Sequence, residues 1–445
     1  MHVAIITAGG AGMFCGSCMH DNTWARSLMN AGAEVSLIPT YTPVRVDEEN
    51  LSTERVFFGG INVYLDHQSR VWRALPKWMK SWLDRPGVIR LATRFGVSND
   101  AKQLGELTLA MLEGESGPHA QQVEELVEFI CRDLRPDVVC FSNALLVGAL
   151  KRLKERFAGP IFCTLQGDDI FLDSLAPTFR TRAIKAISER AAEFDGFLVH
   201  SEYYRDFMSE YLSLPRDRFH KLPLGIDLNG HNGTPEKAHA VKRIANNDVV
   251  TIGYFARICP EKGLHVLVEA FSELRRRRPN VRLVVGGYLG KRDEQYFADV
   301  SKSTSALSDA FQFAGSPPDH ASKVELLKSF DVLCVPAPYR EPKGLYVVEA
   351  LANGVPVVEP DHGAFRELVA STNGGLLYPP GDVGELVACL ERLVVDRVLR
   401  IELGRRGQQA VRTLYSPEAM AARTLQVFED ALSTKHTANS SRAGS

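Results

Sequence analysis

The segment VVTIGYFARICPEKGLHVLVEAFSELRRRRPNVRLVVGG, residues 249–287, decides the fold class. A β-branched run (VVTIGYF) gives way to a loop, then to a helix-length stretch over 263–276, then to a second apolar run (VRLVVGG). Runs without polar alternation suit strands buried on both faces, and a helix between two of them makes a parallel βαβ unit. The rhythm extends outward in both directions: HVAIIT, EVSLIP, DVVCF, IFCTL and GFLVHS precede the segment, and FQFAG, VLCVPAP, VPVVEP and GGLLY follow it. Helix-length segments at 18–31, 143–154, 175–193, 321–329 and 383–395 lie between these runs. The class predicted is α/β, with a Rossmann-like, doubly wound parallel sheet formed twice. Each sheet would present the carboxyl ends of its strands to a crevice, where open α/β sheets bind ligands.

A chain of 445 residues is long enough for two or three domains. The break is predicted between Gly225 and Asp248, where periodicity is lost and Gly, Asn, Pro and charge gather. This gives a first domain over 1–225, a second over 226–415, a C-terminal helix over 416–433, and a polar tail over 434–445 expected to be disordered. An insertion over about 54–115 interrupts the rhythm with a Gly-Gly hairpin signal and then VWRALPKWMKSWLDRPGVIRL. On a helical wheel Trp72, Leu75, Trp78, Met79, Trp82 and Leu83 share one face and Arg73, Lys77 and Lys80 the other, although Pro76 interrupts the helix. Residues 72–85 could thus lie on a membrane surface, or pack their tryptophan face on the core.

Apolar residues make up 45% and charged residues 24%, a globular composition. With 54 acidic and 52 basic residues the net charge is −2, which supplies no global field for nucleic acid or an anionic membrane. There is no run of 18 apolar residues, and MHVAIITAGG lacks the basic leader and apolar stretch of a signal peptide, so a cytoplasmic protein is expected. Most of the eight cysteines sit in apolar runs, the pattern of reduced core thiols.

The strongest chemical pattern is YREPKGLYVVEALANGVPVVEP, residues 339–360. Pro342 and Gly344 keep Glu341 on a loop and start a helix near Leu345, which places Glu349 among Val347, Val348, Ala350 and Leu351. A lone acid in an apolar helix needs partners: neighbouring ligand hydroxyls would serve, and so would an arginine or the helix's own cap. The amides at Gly344 and Leu345 present donors and a positive dipole end to a polar ligand. Arg257 and Lys262 sit between a strand and the helix beginning near Gly263, where cations oppose the dipole. An anion such as a diphosphate would neutralise them; pairing with Glu261 or simple solvation is the alternative.

The N-terminal loop TAGGAGMFCGSCMHDN carries glycines at 9, 10, 12 and 16 that let backbone approach a ligand. It does not meet the dinucleotide fingerprint, because Cys15 takes the third glycine's place, and SLIPTY lacks the acid expected for an NAD ribose. Cys15-Gly-Ser-Cys18 has the form of a redox CxxC, yet no second pair stands at zinc-like spacing. Gln166, Asp168 and Asp169 follow one predicted strand and His200 and Ser201 another, so both groups fall at strand carboxyl ends. They could meet an acceptor, cap the next helix or serve as core groups. Arg275 to Arg278 read as a solvated helix end.

In combination these residues resemble a retaining glycosyltransferase of family 4 with the GT-B fold, a resemblance that covers nearly the whole chain. Glu341-x7-Glu349 with Gly344-Leu345 resembles the family's signature, and Arg257-x4-Lys262-Gly263 its phosphate-binding pair. LPLGID with Gly225 and Asp227, GAFREL and NGGLLYPPGD fall where the family has similar stretches. The resemblance implies two Rossmann-like domains facing a central cleft, the first on the acceptor side and the second holding the donor. It implies that Glu349 holds the donor ribose, that Arg257 and Lys262 neutralise the departing diphosphate, that Glu341 with Gly344 and Leu345 contacts the sugar, and that Gly12 and Gly16 approach the phosphates. The implied reaction moves a hexose from a nucleoside diphosphate sugar, UDP-sugar favoured, to a hydroxyl acceptor such as a glycan or lipid-linked glycan. No metal and no cofactor are expected. Two positions depart from the family: Gln166 stands where many members carry a histidine, and Lys343 where the signature usually has Phe. A nucleotide-sugar epimerase of the same fold, or a non-catalytic carbohydrate-binding relative, are the alternatives.

Overall fold

The first apolar run forms strand β1 (His2–Thr7), and its side chains divide by parity: Val3 and Ile5 join one buried cluster, Ala4 and Ile6 another. That division is what a strand covered on both faces requires, since successive side chains point to opposite sides. The computed structural model describes residues 1–9, 16–53, 55–58, 101–233, 249–304, 307 and 310–443. The chain divides into two compact units, one of Met1–Leu222 with Met420–Ser445 and one of Pro223–Ala419.

In the first unit β1 pairs in parallel with β2 (Glu34–Pro39) and β3 (Val138–Phe141), in the registers Val3↔Val35 and Val3↔Val138. β4 (Ile161–Thr164), β5 (Gly196–Val199) and β6 (Phe219–Lys221) extend the sheet to the order β2-β1-β3-β4-β5-β6. The helices are α1 (Gly16–Asn30), α2 (Ala101–Leu112), α3 (Ala120–Glu128), α4 (Leu150–Lys154), α5 (Asp168–Asp173), α6 (Pro177–Ala191) and α7 (Glu202–Tyr211). Strand β6 goes unannounced in the sequence because FHK has no apolar run; pairing with β5, Leu198 opposite His220, makes it a strand. Much of the helix expected over 143–154 is a 3₁₀ stretch, Ala144–Ala149, running into α4. Its Gly148 lies so close to α2 that a Cβ there would stand 2.2 Å from the Met111 carbonyl oxygen.

The C-terminal helix Pro417–Ala443 belongs to this unit. Met420, Ala421, Val427 and Phe428 bury against Val3, Ile5, Trp24 and Leu28. The indole of Trp24 donates to Thr424 Oγ1 at 3.0 Å, a bond with both ends buried. The tail expected to be disordered from 434 instead continues this helix to Ala443. Composition misleads there because the anchor is tertiary: Lys435 Nζ donates to the Gly159 carbonyl at 2.7 Å and to Asp195 at 3.0 Å.

The second unit repeats the class. β7 (Val250–Phe255), β8 (Val281–Gly286), β9 (Phe311–Gly315), β10 (Val332–Cys334), β11 (Val357–Pro360) and β12 (Gly375–Tyr378) form a parallel sheet in the order β12-β11-β10-β7-β8-β9. Around it lie α8 (Leu264–Arg277), α9 (Glu294–Ser303), α10 (His320–Lys328), α11 (Leu345–Ala352), α12 (Gly363–Thr372), α13 (Val383–Val395) and α14 (Arg397–Leu414). Ile252, Leu283, Val332 and Val357 from the strands pack with Leu267, Phe271, Val347 and Phe365 from the helices. Arg275 to Arg278 end α8 on the surface: Arg276 and Arg277 pair with Glu273, Arg278 with Glu391, and Arg275 donates to the Val281 carbonyl at 2.7 Å.

No helix among the described residues is long and apolar enough to cross a membrane. The Gly-Gly hairpin signal at 59–60 and the tryptophan-bearing segment 72–85 fall outside the described residues. Replacing Thr424 by Val should cost about 1–3 kcal/mol, the penalty for leaving a buried indole N–H without an acceptor. Urea unfolding followed by Trp fluorescence measures it, and an unchanged midpoint would show that the bond does not anchor the helix.

Candidate functional site

In the second unit the strand order reverses at the β10–β7 pair, with β8 and β9 on one side of β7 and β10 to β12 on the other. Connections leaving the carboxyl ends of such a pair run to opposite faces of the sheet and part to leave a crevice. Both segments singled out in the sequence emerge here: β7 leads to Arg257 and Lys262, and β10 to Glu341, Gly344 and Leu345.

After β7 the chain makes a 3₁₀ turn over Pro260–Lys262, and Gly263 takes a left-handed conformation (φ +70°) before α8. A Cβ on Gly263 would lie 2.0 Å from the Pro336 carbonyl oxygen in the loop after β10, so only glycine lets the two loops approach. Their approach brings the Lys262 ammonium onto Glu341 Oε2. The same ammonium stands over the rings of Tyr346 and Tyr339, 5.3 and 5.8 Å from their centroids. Arg257 is exposed; its Nε donates to Cys259 Sγ at 3.3 Å, and its carbonyl accepts from the Tyr254 hydroxyl at 3.1 Å. The alternative sequence pairing of Lys262 with Glu261 is replaced by the contact to Glu341.

Glu341 is buried, and its carboxylate also accepts from the Tyr346 hydroxyl at 3.2 Å and from the Gly344 amide at 3.4 Å. Its own carbonyl accepts from Ala364 N at 2.8 Å, and a Cβ on Gly363 (φ +56°) would come within 2.6 Å of that carbonyl oxygen. The loop is thereby locked to the start of α12. Burial pushes the Glu341 carboxyl up, but Lys262, the Gly344 amide and Lys343 together outweigh it and hold the group below its ordinary value. Lys343 is itself buried. Gly344 (φ +72°) precedes α11, which begins at Leu345 as the Pro-x-Gly pattern predicts.

Glu349 lies one turn into α11, and its partner is a lysine: Lys323 Nζ of α10 stands 2.8 Å from Oε1, with both side chains under 8% exposed. Below it the Asn353 amide donates to the Glu349 carbonyl at 3.1 Å and to His231 Nδ1 at 2.8 Å. Lys323 went unread in the sequence, although it lies on the same helical face as buried Leu327, four residues on. Glu359 was also missed. It interrupts the apolar run of β11, is fully buried, and accepts only from the Val335 amide at 3.3 Å among the described residues. Burial pushes its carboxyl well above the ordinary value.

In the first unit the reversal falls at β1–β3, and the glycine loop leaves β1 there. Gly12 and Cys15 lie outside the described residues; Gly16 is the exposed first residue of α1, and Cys18 is buried two residues on. The seven described cysteines are free thiols. Gln166 Nε2 donates to Asp21 Oδ1 at 3.0 Å and to the Ser142 carbonyl at 3.1 Å, and the Thr7 hydroxyl donates to Asp21 Oδ2 at 2.7 Å. Asp21, fully buried in α1, had no distinguishing sequence context. The Asp168 and Asp169 carboxylates are used inside the unit. Asp168 accepts from the amides of Ala144 (2.7 Å) and Gln166 (2.9 Å), and Asp169 from the Tyr204 hydroxyl (2.6 Å). Burial pushes Asp168 up to about 6 against those amides. The His200 ring packs edge-on against His20, with centroids 4.3 Å apart.

Residues 236–410 match the family model described as Glycosyl transferases group 1. The phosphatidyl-myo-inositol mannosyltransferase of Mycobacterium leprae is 30% identical over 209 residues, 47% of this chain and 53% of that one. The chain thus matches about half the length of this curated relative. Among solved structures, a sucrose-phosphate synthase from Thermosynechococcus elongatus superposes with a TM-score of 0.70 at 17% identity, covering 98% of this chain and all of the other. Anabaena HepE, solved in complex with UDP, superposes with a TM-score of 0.67 at 15% identity over 97% of this chain and all of the other. These structural likenesses carry the fold alone. The second unit thus carries a match to the glycosyl transferases group 1 family, and the two six-stranded parallel sheets are those of the GT-B fold.

Proposed function

We propose that the second unit binds a nucleoside diphosphate sugar, UDP-sugar favoured, and that the protein transfers its hexose to a hydroxyl acceptor with retention of configuration. The observation that carries this reading is the placement of Lys262 and Glu341 in contact at the strand-order reversal, with Arg257 on the same loop as Lys262. Two cations there would neutralise a diphosphate, and a carboxylate beside them would accept from sugar hydroxyls. The mannosyltransferase name of the mycobacterial relative supports hexose transfer, and the UDP in the HepE structure supports a nucleotide donor.

In the proposed mechanism Arg257 and Lys262 stabilise negative charge as it develops on the departing diphosphate, an effect worth roughly 3 kcal/mol per well-placed donor. Glu341 and the Gly344 and Leu345 amides orient the sugar. Glu349, its charge balanced by Lys323, accepts from the ribose hydroxyls. The acceptor hydroxyl attacks on the face the diphosphate leaves. For the acceptor we place the cluster around Gln166 and His200 at the carboxyl ends of β4 and β5, with Asp168 and Asp169 shaping it through their internal bonds.

Thermal shifts with UDP, ADP, GDP and their glucose conjugates, followed by NMR of the product's anomeric proton, test the reading. Absence of both stabilisation and turnover would overturn it. Lys262→Ala should weaken nucleoside diphosphate binding about tenfold or more while leaving the free nucleoside unchanged, as expected for a lost charge-assisted contact. Equal losses for both ligands in a titration would contradict the assigned role. Lys323→Met should destabilise the protein by about 3 kcal/mol by leaving a buried carboxylate alone, and adding Glu349→Gln should recover most of it. Chemical denaturation distinguishes this from two independent losses, which would simply add.

A further inference from the structure

Arg257 is exposed, and a long side chain at such a position samples many rotamers. Ordering it on a ligand costs affinity unless the protein has ordered it beforehand. Among the described residues Arg257 has no carboxylate partner, and the nearby acid Glu261 faces Arg292 at 3.7 Å. What its guanidinium does have there is a hydrogen bond from Nε to Cys259 Sγ at 3.3 Å.

The thiol holds the same residue twice. Sγ accepts from Arg257 Nε and donates to the Arg257 carbonyl at 3.7 Å, a carbonyl that the buried Tyr254 hydroxyl also reaches, at 3.1 Å. Cys259 is fully buried, and so is Ile258 between the two, whose amide donates to the Tyr288 carbonyl at 2.9 Å. The backbone of the turn is therefore fixed, and the sulfur is a fixed reference point for the guanidinium. Burial pushes the thiol up against the pull of Arg257, so its S–H stays available to donate. A guanidinium is planar and its donors form a rigid fork. With Nε turned to sulfur, the edge left to grip two oxygens is the one formed by Nη1 and Nη2.

We propose that Cys259 is a positioning residue for Arg257: by holding Nε, its thiol presets the guanidinium so that the two terminal nitrogens meet the diphosphate oxygens end-on. The proposal rests on Arg257 as a diphosphate ligand. Sulfur is a weak hydrogen-bond partner, so the gain lies in ordering one side chain in advance and not in a new contact to the ligand.

Two substitutions separate positioning from packing. Cys259→Ser keeps a group that accepts and donates but loses apolar volume, whereas Cys259→Val keeps the volume and can do neither. The extended backbone of Cys259 (φ −156°, ψ 161°) accepts a β-branched residue. Calorimetry of the full-length protein uses whichever of UDP, ADP or GDP stabilises it most, together with the matching nucleoside. Cys259→Val should weaken the diphosphate about three- to tenfold, the factor for ordering one long side chain, and leave the nucleoside unchanged. Cys259→Ala, which also lacks both roles, should repeat this, and Cys259→Ser should stay close to wild type. In an Arg257→Met background Cys259→Val should add no further loss, because the side chain it orders is gone. A loss as large in that background as in wild type, or a Ser variant weaker than Val, would show that the thiol acts by packing and would sink the proposal. If Arg257→Met binds the diphosphate as wild type does, the reading beneath it fails instead, and if none of the three diphosphates binds, both fall together.

Discussion

Parallel strands carry all their carboxyl ends to one edge of a sheet, and where their order reverses the two adjacent connections must separate. That constraint places the chemistry of the second unit. β7 and β10 are neighbours in the sheet although β8 and β9 lie between them in sequence, so their loops meet at one crevice.

One glycine permits the meeting and a second fixes the Glu341 loop to α12. Gly263 yields to the Pro336 carbonyl and Gly363 to the Glu341 backbone, and each adopts a left-handed conformation as well. A side chain at Gly263 would push the loop bearing Lys262 off the loop after β10, and one at Gly363 would push the Glu341 loop off the start of α12. The site is thus built by backbone contact first and by charge second.

Its electrostatics follow one rule: each acid in the region has a distinct arrangement. Among the described residues Glu341 has Lys262 in contact, Glu349 has Lys323, and Glu359 has a single amide and is driven toward its neutral form. Buried ion pairs add little stability over apolar packing, yet removing one partner is costly.

Much of this was legible in the residues. Apolar runs of four to six residues mark nearly every strand, because a strand covered on both faces tolerates no polar alternation. Pro342-x-Gly344 marks the start of α11, because proline and glycine set backbone angles locally. What the chain alone could not specify are pairings between distant segments. Strand β6, the docking of Lys435, the joining of Lys323 to Glu349 and of Lys262 to Glu341 all depend on which surfaces meet. Local angles and burial patterns are properties of neighbouring residues, whereas the partner of a buried charge is chosen only when the sheet order brings two loops together.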